Sequence, residues 1–576
     1  MPPQPVVFPE IREQSFEIPA MSFDRVHFGH VATSKLPLFR LPIELFAQIF
    51  RYVGRDDLRA LALVDRDCRR LAALYQFKDI KIHFVPELFL KIQGLPIQDP
   101  PAPFTSQCVR RVTVASDVPD YSTALSEYAG LAIEELDPPL TCYLKSASDI
   151  IESSLPNLYI LVWDVPTFVC PNIIHSILSS PAKHLRLNRL KFKEDIYVPL
   201  PTHLPVLETL SLQDISWIPG TDPSKPIQFF DTLFRATALT LRQLIWTGQL
   251  AHGEIEFGEN LLSFPSLRSI SLDSVCVNSS HVLRHFLGPS TRVESMSMDS
   301  LTASTLEFYR TRGLIPTLIY FCWLNHDETL SLDSEEHEVL IFLRNNPQLE
   351  KIHFADPLNA IAIETLILPF LQNNFDSLTS LHLIWAASTI PEQSLEVLAS
   401  ISTLRQLWLS AGNQDSPNTW EIDHQAMLAH LEPLQRLETL AFSRDTYKVG
   451  ADLLVPRFGD YYAIKALPAG LNMSRYLSPI ELSLYEGRNQ VDREQAIKEQ
   501  VTMWRVAWER WHVERVMEWA HEYANTFPVL RWCFFGQLAM SANRPRGFSL
   551  VHSPAQREPG LESLCNLMSI SLWRPI

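Results

Sequence analysis

Residues 378–385 read LTSLHLIW and residues 404–411 read LRQLWLSA, so the pattern apolar-x-x-apolar-x-apolar begins twice, 26 residues apart. The alternation at the end of each copy predicts a short strand whose apolar side chains face one side of a sheet while the x positions face the other. Thirteen copies of the pattern begin at Val109, Leu158, Leu187, Leu207, Leu241, Leu267, Val293, Leu318, Leu349, Leu378, Leu404, Leu437 and Leu530. Most of the chain is therefore expected to consist of one repeated strand unit.

The spacing between copies predicts the fold class. Ten of the twelve intervals lie between 20 and 34 residues, and segments such as 394–402 and 424–431 between the copies look helical. Strand and helix alternating at this period are typical of leucine-rich repeats, which form a curved solenoid of parallel strands with outer helices. Where such repeats commonly carry Asn or Cys, this chain has Ile215, Val275, Leu301 and Gly412. We therefore expect an α/β chain with an irregular solenoid.

The pattern also divides the chain into segments. We expect a loose N-terminal arm, a helical module, the repeats, an insertion with a long helix, and a terminal repeat with a C-terminal cap, at residues 1–36, 37–84, 100–445, 446–526 and 527–576. In the insertion, Trp504, Trp508 and Trp511 sit at helical spacings of 4 and 3. We expect this stripe to pack against the end of the solenoid as a cap. The alternative is that it stacks on a sugar or a partner peptide.

A helical module is predicted near the N-terminus. Residues 41–50 read LPIELFAQIF, in which Pro42 suits a first helical position and Glu44 suits the first turn. Ile49 belongs to an apolar stripe on this helix, and residues 56–74 add a second helical face with further leucines. Two helices cannot bury this much apolar surface by themselves, which indicates a partner.

Residues 41–71 resemble the F-box motif and look like F-box proteins of mushroom-forming fungi. The matching positions are Leu41, Pro42, Glu44, Leu45, Ile49, Phe50, Leu58, Leu63, Val64, Arg69 and Leu71. In its second half the family often has Cys and then Trp, and the equivalent places here hold Asp65 and Cys68.

The resemblance implies a docking role. F-box motifs contact the Skp-type linker of Skp-cullin-F-box (SCF) ubiquitin ligases, and through it the cullin. The implied contact residues are Leu41, Pro42, Glu44, Leu45, Ile49, Phe50, Leu58, Leu63 and Val64. Among these, Pro42, Ile49 and Phe50 are the expected anchors. The competing interpretation is that the apolar residues form only the module's own core, namely Leu45, Phe46, Ile49, Leu58 and Leu61.

The x positions of the repeats are the predicted surface for a protein substrate. Candidate residues on it are Gln213, Gln243, Asp273, His382, Trp408, Trp532 and Phe534. The aromatic members are the candidate anchors, although single exposed residues of any type are common on protein surfaces.

Composition and charge exclude several classes of partner. The chain has 49 Lys and Arg against 65 Asp and Glu, and its net charge of −16 suits neither nucleic-acid phosphate nor an anionic membrane surface. No cluster of arginines is evident in the sequence, which disfavours a phosphorylated partner. Eight scattered cysteines, no signal-peptide pattern and no apolar run of membrane-spanning length predict a cytoplasmic or nuclear protein.

Signals of catalysis are weak. The motifs GxGxxG, GxxxxGK[ST] and GxSxG do not occur. His281 and His285 have the spacing of a helical metal pair, but no third ligand accompanies them, so we interpret the pair as chance. We therefore expect no catalytic residue, no cofactor and no metal.

Two functions from different classes remain. The first is the substrate-receptor subunit of an SCF-type ubiquitin ligase, a non-catalytic adaptor. The second is a leucine-rich-repeat scaffold that binds proteins without joining a ligase. A hydrolase built on a repeat fold is a third and weaker alternative. The first two differ in whether residues 41–71 bind the linker.

Overall fold

The computed structural model divides the chain into two compact units. One comprises Ser15–Leu318, and the other comprises Ile319–Ile576 together with Met1–Gln14. The residues that the structure describes are 33–50, 53–84, 103–116, 138–168, 171–192, 206–217, 224–248, 263–275, 280–288, 291–299, 302–324, 336–411, 420, 422–442, 471–486, 493–535, 538–543 and 547–550.

Short helices open the first unit. A 3-10 turn is followed by three α-helices, with the bounds Pro37–Arg40, α1 Ile43–Phe50, α2 Arg55–Leu61 and α3 Arg66–Gln76. The carboxylate of Asp65 accepts a hydrogen bond of 2.6 Å from the backbone N–H of Cys68 and so caps the start of α3. The helices predicted for this part of the chain are confirmed.

A parallel ladder of strands follows. Its strands are β1 Asp79–Phe84, β2 Arg111–Ser116, β3 Ile160–Phe168, β4 His184–Phe192, β5 Thr209–Gln213, β6 Ser216–Trp217, β7 Gln243–Thr247, β8 Ser269–Asp273 and β9 Ser295–Asp299. Each of β1 to β5 pairs in parallel with the next strand, β5 pairs with β7, and the ladder continues through β8 to β9. The short β6 adds to β4. The helices between these strands are α4 Pro103–Cys108, α5 Pro138–Ser153, α6 Pro171–Ser179, α7 Ser224–Thr237, α8 Ser280–Leu287 and α9 Ala303–Arg312.

The second unit repeats this plan. Its strands are β10 Tyr320–Leu324, β11 Lys351–Phe354, β12 Ser380–Trp385, β13 Gln406–Ala411, β14 Thr439–Phe442, β15 Trp532–Phe535, β16 Leu538–Asn543 and β17 Gly547–Leu550. The pairing is parallel from β10 to β15 and antiparallel from β15 to β17. The outer helices are α10 Glu338–Asn345, α11 Leu368–Asn374, α12 Glu392–Ser400 and α13 His424–Leu431. An α-helical turn at Ala360–Ala362 and a π-helical turn at Ile363–Ile367 lead into α11.

The apolar motif positions form the core of both units. Leu210 and Leu212 are buried in the first unit, as are Leu381 and Leu383 in the second. Parallel strands that alternate with helices, with one apolar row per strand, confirm the predicted α/β repeat fold. In the described part of the chain, no helix is both long enough and apolar enough to cross a membrane.

The ladder starts earlier than the first motif predicts. Residues 79–84 were assigned to the helical module, but they form β1, which pairs with β2 in register from Asp79 with Arg111 to Phe84 with Ser116. The alternating residues Ile80 and Ile82 in this strand are a signal that the six-residue motif did not capture. The helical part of the module therefore ends at α3.

The segment between β14 and β15 is an insertion in one repeat, because these two strands pair directly. It contains α14 Met473–Tyr476, α15 Pro479–Tyr485 and α16 Arg493–Thr526. On the C-terminal half of α16, Val516, Ala520 and Tyr523 are fully buried, and the helix contacts α13. Trp508 is buried as well, whereas Val501 is exposed. The predicted packing of this helix on the repeats is therefore confirmed for its C-terminal half.

Candidate protein-binding surfaces

The helical module has a core of its own. Phe50 and Leu58 are each 7% exposed, and the ring of Phe50 stacks on Tyr75 with centroids 4.3 Å apart and planes 12° apart. Cys108 of α4 belongs to the same core. The expectation that Phe50 and Leu58 face a partner is therefore corrected: their side chains fill the space between the module's own helices.

Other predicted contacts remain exposed. Leu45 and Ile49 are 43% and 41% exposed on α1, and Leu63 and Val64 are 81% and 59% exposed in the turn between α2 and α3. Removing such side chains from water is favourable by about 25 cal/mol per Å² of apolar area. These four residues form the apolar docking set of the module.

The remaining predicted contacts lie at the start of α1. Pro42 is exposed and Leu41 is half-buried. Glu44 lies in α1, and its side chain is outside the part of the chain that the structure describes.

The positions that depart from the F-box pattern have local structural roles. Besides capping α3, Asp65 accepts a hydrogen bond of 2.7 Å from the hydroxyl of Ser34. The carboxylate of Asp67 accepts hydrogen bonds from the backbone N–H groups of Thr33, at 2.6 Å, and Ser34, at 2.8 Å. Cys68 is fully buried. The end of the predicted loose arm is therefore tied to α3.

In the second unit, the face of the ladder that carries the x positions is closed to solvent. A single register row crosses six strands through Cys322, His353, His382, Trp408, Ala441 and Phe534, and all six are buried. Trp532, one position removed from this row, is also buried at 9% exposure.

Four of the predicted substrate contacts are therefore corrected, namely His382, Trp408, Trp532 and Phe534. Their rings pack on one another or on adjacent strands instead of facing a partner. His382 stacks on Trp408, and His353 meets His382 edge to face with centroids 5.8 Å apart. Aromatic contacts between neighbouring strands stabilise the sheet itself.

The first unit is more polar on the equivalent face. Gln213 and Gln243 are half-buried, whereas Asp273 is 7% exposed and is likewise corrected as a surface contact. The oxygen of the Gln213 side chain accepts a hydrogen bond from the guanidinium of Arg186, which also donates to Asn188 at 3.2 Å. Of the predicted substrate contacts, Gln213 and Gln243 keep partial exposure.

A ladder of charged residues at the start of the strands was not predicted. The second position of each motif lies just before its strand, and its carbonyl accepts two N–H groups of the next strand, as Glu208 does from Arg242 at 2.8 Å and Gln243 at 3.1 Å. This fixes adjacent second positions side by side. Glu208 lies 2.7 Å from the ammonium of Lys183 and 3.8 Å from the guanidinium of Arg242. The signal in the sequence is a charged second residue in many motifs, for example LETLSL at 207–212.

The described residues contain no group of three His, Cys, Asp or Glu side chains placed to hold a metal ion. Of the predicted chance pair, His285 is half-buried on α8, and the side chain of His281 lies outside what the structure describes. Burial raises the pKa of the Cys108 thiol to about 12, so this thiol stays protonated at neutral pH.

Comparison with models of protein families finds no match. Comparison with curated protein sequences finds none either. Among solved structures, the chain is similar to an internalin from Listeria monocytogenes, with 15% sequence identity and a TM-score of 0.27, over 51% of this chain and 68% of that chain. The leucine-rich-repeat-like architecture described above rests on the motif spacing and the parallel ladders.

Proposed function

We propose that the chain is a substrate-receptor subunit of an SCF-type ubiquitin ligase, in which the helical module binds a Skp-type linker and the repeats bind a protein substrate. The observation that carries the proposal is the apolar docking set: Leu45, Ile49, Leu63 and Val64 stay exposed on a module that has already closed its own core. Exposed apolar side chains within a motif that resembles the F-box support a docking surface.

The proposed mechanism is docking and presentation. The adaptor holds a substrate near a ubiquitin-charged enzyme, which converts a bimolecular encounter into a local one. It needs no catalytic residue of its own. The repeats support the second half of this mechanism, because stacked repeats offer a long continuous surface to a protein partner.

Capture of a purified Skp-type linker by the full chain tests the proposal. The parent protein should bind the linker, and the double variant Ile49→Asp/Leu63→Asp should lose at least about tenfold in affinity, because a charge at an apolar interface must be desolvated. The control is Ile480→Asp, at a side chain that is 77% exposed on α15. It should bind the linker like the parent.

The scaffold alternative is the other outcome of this experiment. A parent protein that folds but does not capture the linker contradicts the adaptor proposal and favours a protein-binding scaffold. Equal loss of binding in the control would show that the docking set is not the contact surface.

A further inference from the structure

Three arginines of the first unit converge at the edge of the ladder where the strands begin. Arg242 and Arg268 directly precede β7 and β8, and Arg292 lies shortly before β9. They are 26 and 24 residues apart in the sequence, which is about one repeat, so the ladder stacks them although no run of basic residues exists. Together with Pro265 and Ser266 they line an open cavity of about 370 Å³.

Carboxylates neutralise this cluster only in part. Arg242 lies 3.8 Å from Glu208, but Glu208 makes its shorter contact, at 2.7 Å, with Lys183. Arg268 lies 3.5 Å from Glu294.

Arg292 is exposed, and its side chain makes no ion pair or hydrogen bond with any residue that the structure describes. Its carbonyl accepts a hydrogen bond of 3.1 Å from the guanidinium of Arg268, which holds that guanidinium beside Arg292. The site therefore offers a positioned guanidinium next to an uncommitted one, on a chain whose net charge is −16.

We propose that Arg242, Arg268 and Arg292 form a binding site for a phosphate monoester carried by a protein partner, that is, a phosphoserine or phosphothreonine side chain. Guanidinium groups bind phosphate oxygens through paired, charge-assisted hydrogen bonds, and a phosphate carries up to two negative charges at neutral pH. The inference deepens the proposed function and rests on it for the claim that the repeats bind a protein.

A single phosphate group fits this site better than a nucleic-acid backbone does. Nucleic acids are bound by basic surfaces that follow several phosphates in succession. Here Glu208 lies beside one end of the cluster and Glu294 beside the other, and the chain as a whole repels a polyanion. The positive potential is therefore confined to one cavity.

The test measures binding of the full chain to a degenerate peptide array with a central phosphoserine and to a matched array with serine. The parent should prefer the phosphorylated array, and Arg292→Gln should weaken that binding by about tenfold, with no change for the serine array. The control is Arg405→Gln, because Arg405 occupies the same motif position before β13, with a side chain that is 57% exposed, but belongs to the other unit. It should bind both arrays like the parent.

Inorganic phosphate as a competitor distinguishes a peptide-borne group from a free ion. Competition only at concentrations far above those of the phosphopeptide supports the proposal. Equal potency of the two would overturn it in favour of a small-anion site. Equal binding of both arrays by the parent, or an equal loss in Arg405→Gln, would overturn it as well.

Linker capture by the same preparations separates this inference from the proposed function. Arg292→Gln should capture the Skp-type linker like the parent, since the arginines lie outside the helical module. A parent that captures the linker but shows no preference for phosphopeptides removes this inference alone. Absence of linker capture, with phosphopeptide preference intact, removes only the adaptor proposal.

Discussion

The imidazole of His382 lies face to face with the indole of Trp408, with ring centroids 3.5 Å apart and ring planes 6° apart. The two residues are register partners on β12 and β13. Both are buried, at 4% and 8% exposure, on the face of the ladder where a substrate surface was expected. The stack therefore belongs to the core of the second unit and should contribute to its stability.

Trp408→Ala should destabilise the second unit by about 3–5 kcal/mol, because truncation of a buried aromatic ring loses its burial and leaves a cavity. Urea-induced unfolding followed by hydrogen exchange of the strand amides measures this. The matched control is Ile361→Ala, at a side chain that is 68% exposed, with an expected change of less than about 1 kcal/mol. Similar losses in the two variants would contradict the structural role of the stack.

The stability of the second unit should fall as the pH falls below 6.5. Burial, with a smaller effect from Lys351, lowers the pKa of His353 from 6.5 to about 3. Burial and then the charge of His353 hold the pKa of His382 well below its usual value. The unfolded chain therefore binds more protons than the folded chain below pH 6.5, so the stabilisation is complete above that pH and is lost progressively towards pH 3.

Each of these histidines should contribute a slope of up to about 1.4 kcal/mol per pH unit below pH 6.5. Urea unfolding at pH 7.5 and pH 5.5 gives the difference. His382→Phe keeps an aromatic ring against Trp408 and removes one titrating group, and the Nε2 of His382 makes no hydrogen bond with any described residue. The variant should therefore show a shallower pH dependence. An unchanged slope would contradict the assignment to His382.

The repeat fold was predictable because it depends on a local pattern. The apolar positions of LRQLWLSA at 404–411 define the strand, its inward side and, through spacing, its parallel neighbours. Exposure of the opposite face was not predictable from the same pattern. Gln213 and Trp408 occupy x positions of the same motif, yet the first is half-buried and the second is buried. The difference arises from neighbours on adjacent strands, which are 25 to 30 residues away in the sequence.

The docking module shows the same division between local and tertiary information. The sequence predicted that residues 41–50 form an amphipathic helix, but not which of its apolar side chains close the core. Phe50 is buried against Tyr75, which comes from α3, whereas Ile49 beside it in the sequence is 41% exposed. The arginine cluster was missed for a related reason, since its members are separated by whole repeats.

Phe50→Ala should therefore destabilise the helical module, by about 3–5 kcal/mol, whereas Ile49→Ala should cost less than about 1 kcal/mol. Hydrogen exchange of the α1 and α3 amides reports the local stability in the full chain. In linker capture, Ile49→Ala should weaken binding while the module remains folded. Faster exchange in Ile49→Ala than in Phe50→Ala would reverse the assignment of core and docking residues.

The hydroxyl of Tyr523 should fasten the long helix α16 to α13. It lies 3.1 Å from Nδ1 of His424, and both residues are buried. Burial, followed by the nearby Cys533 and Asp423, raises the pKa of Tyr523 well above its ordinary value, so the hydroxyl stays protonated. Tyr523→Phe should cost about 1–3 kcal/mol, because Nδ1 loses this hydrogen bond in a site without access to bulk water.

Tyr476→Phe is the matched control for this prediction. The Tyr476 hydroxyl donates to Glu514 of the same helix at 2.7 Å, but in a partly exposed place where water can replace it. Urea unfolding, with hydrogen exchange of the C-terminal half of α16, should show a larger loss for Tyr523→Phe than for Tyr476→Phe. Equal losses would mean that burial of the tyrosine ring, and not its hydrogen bond to His424, holds α16 on the repeats.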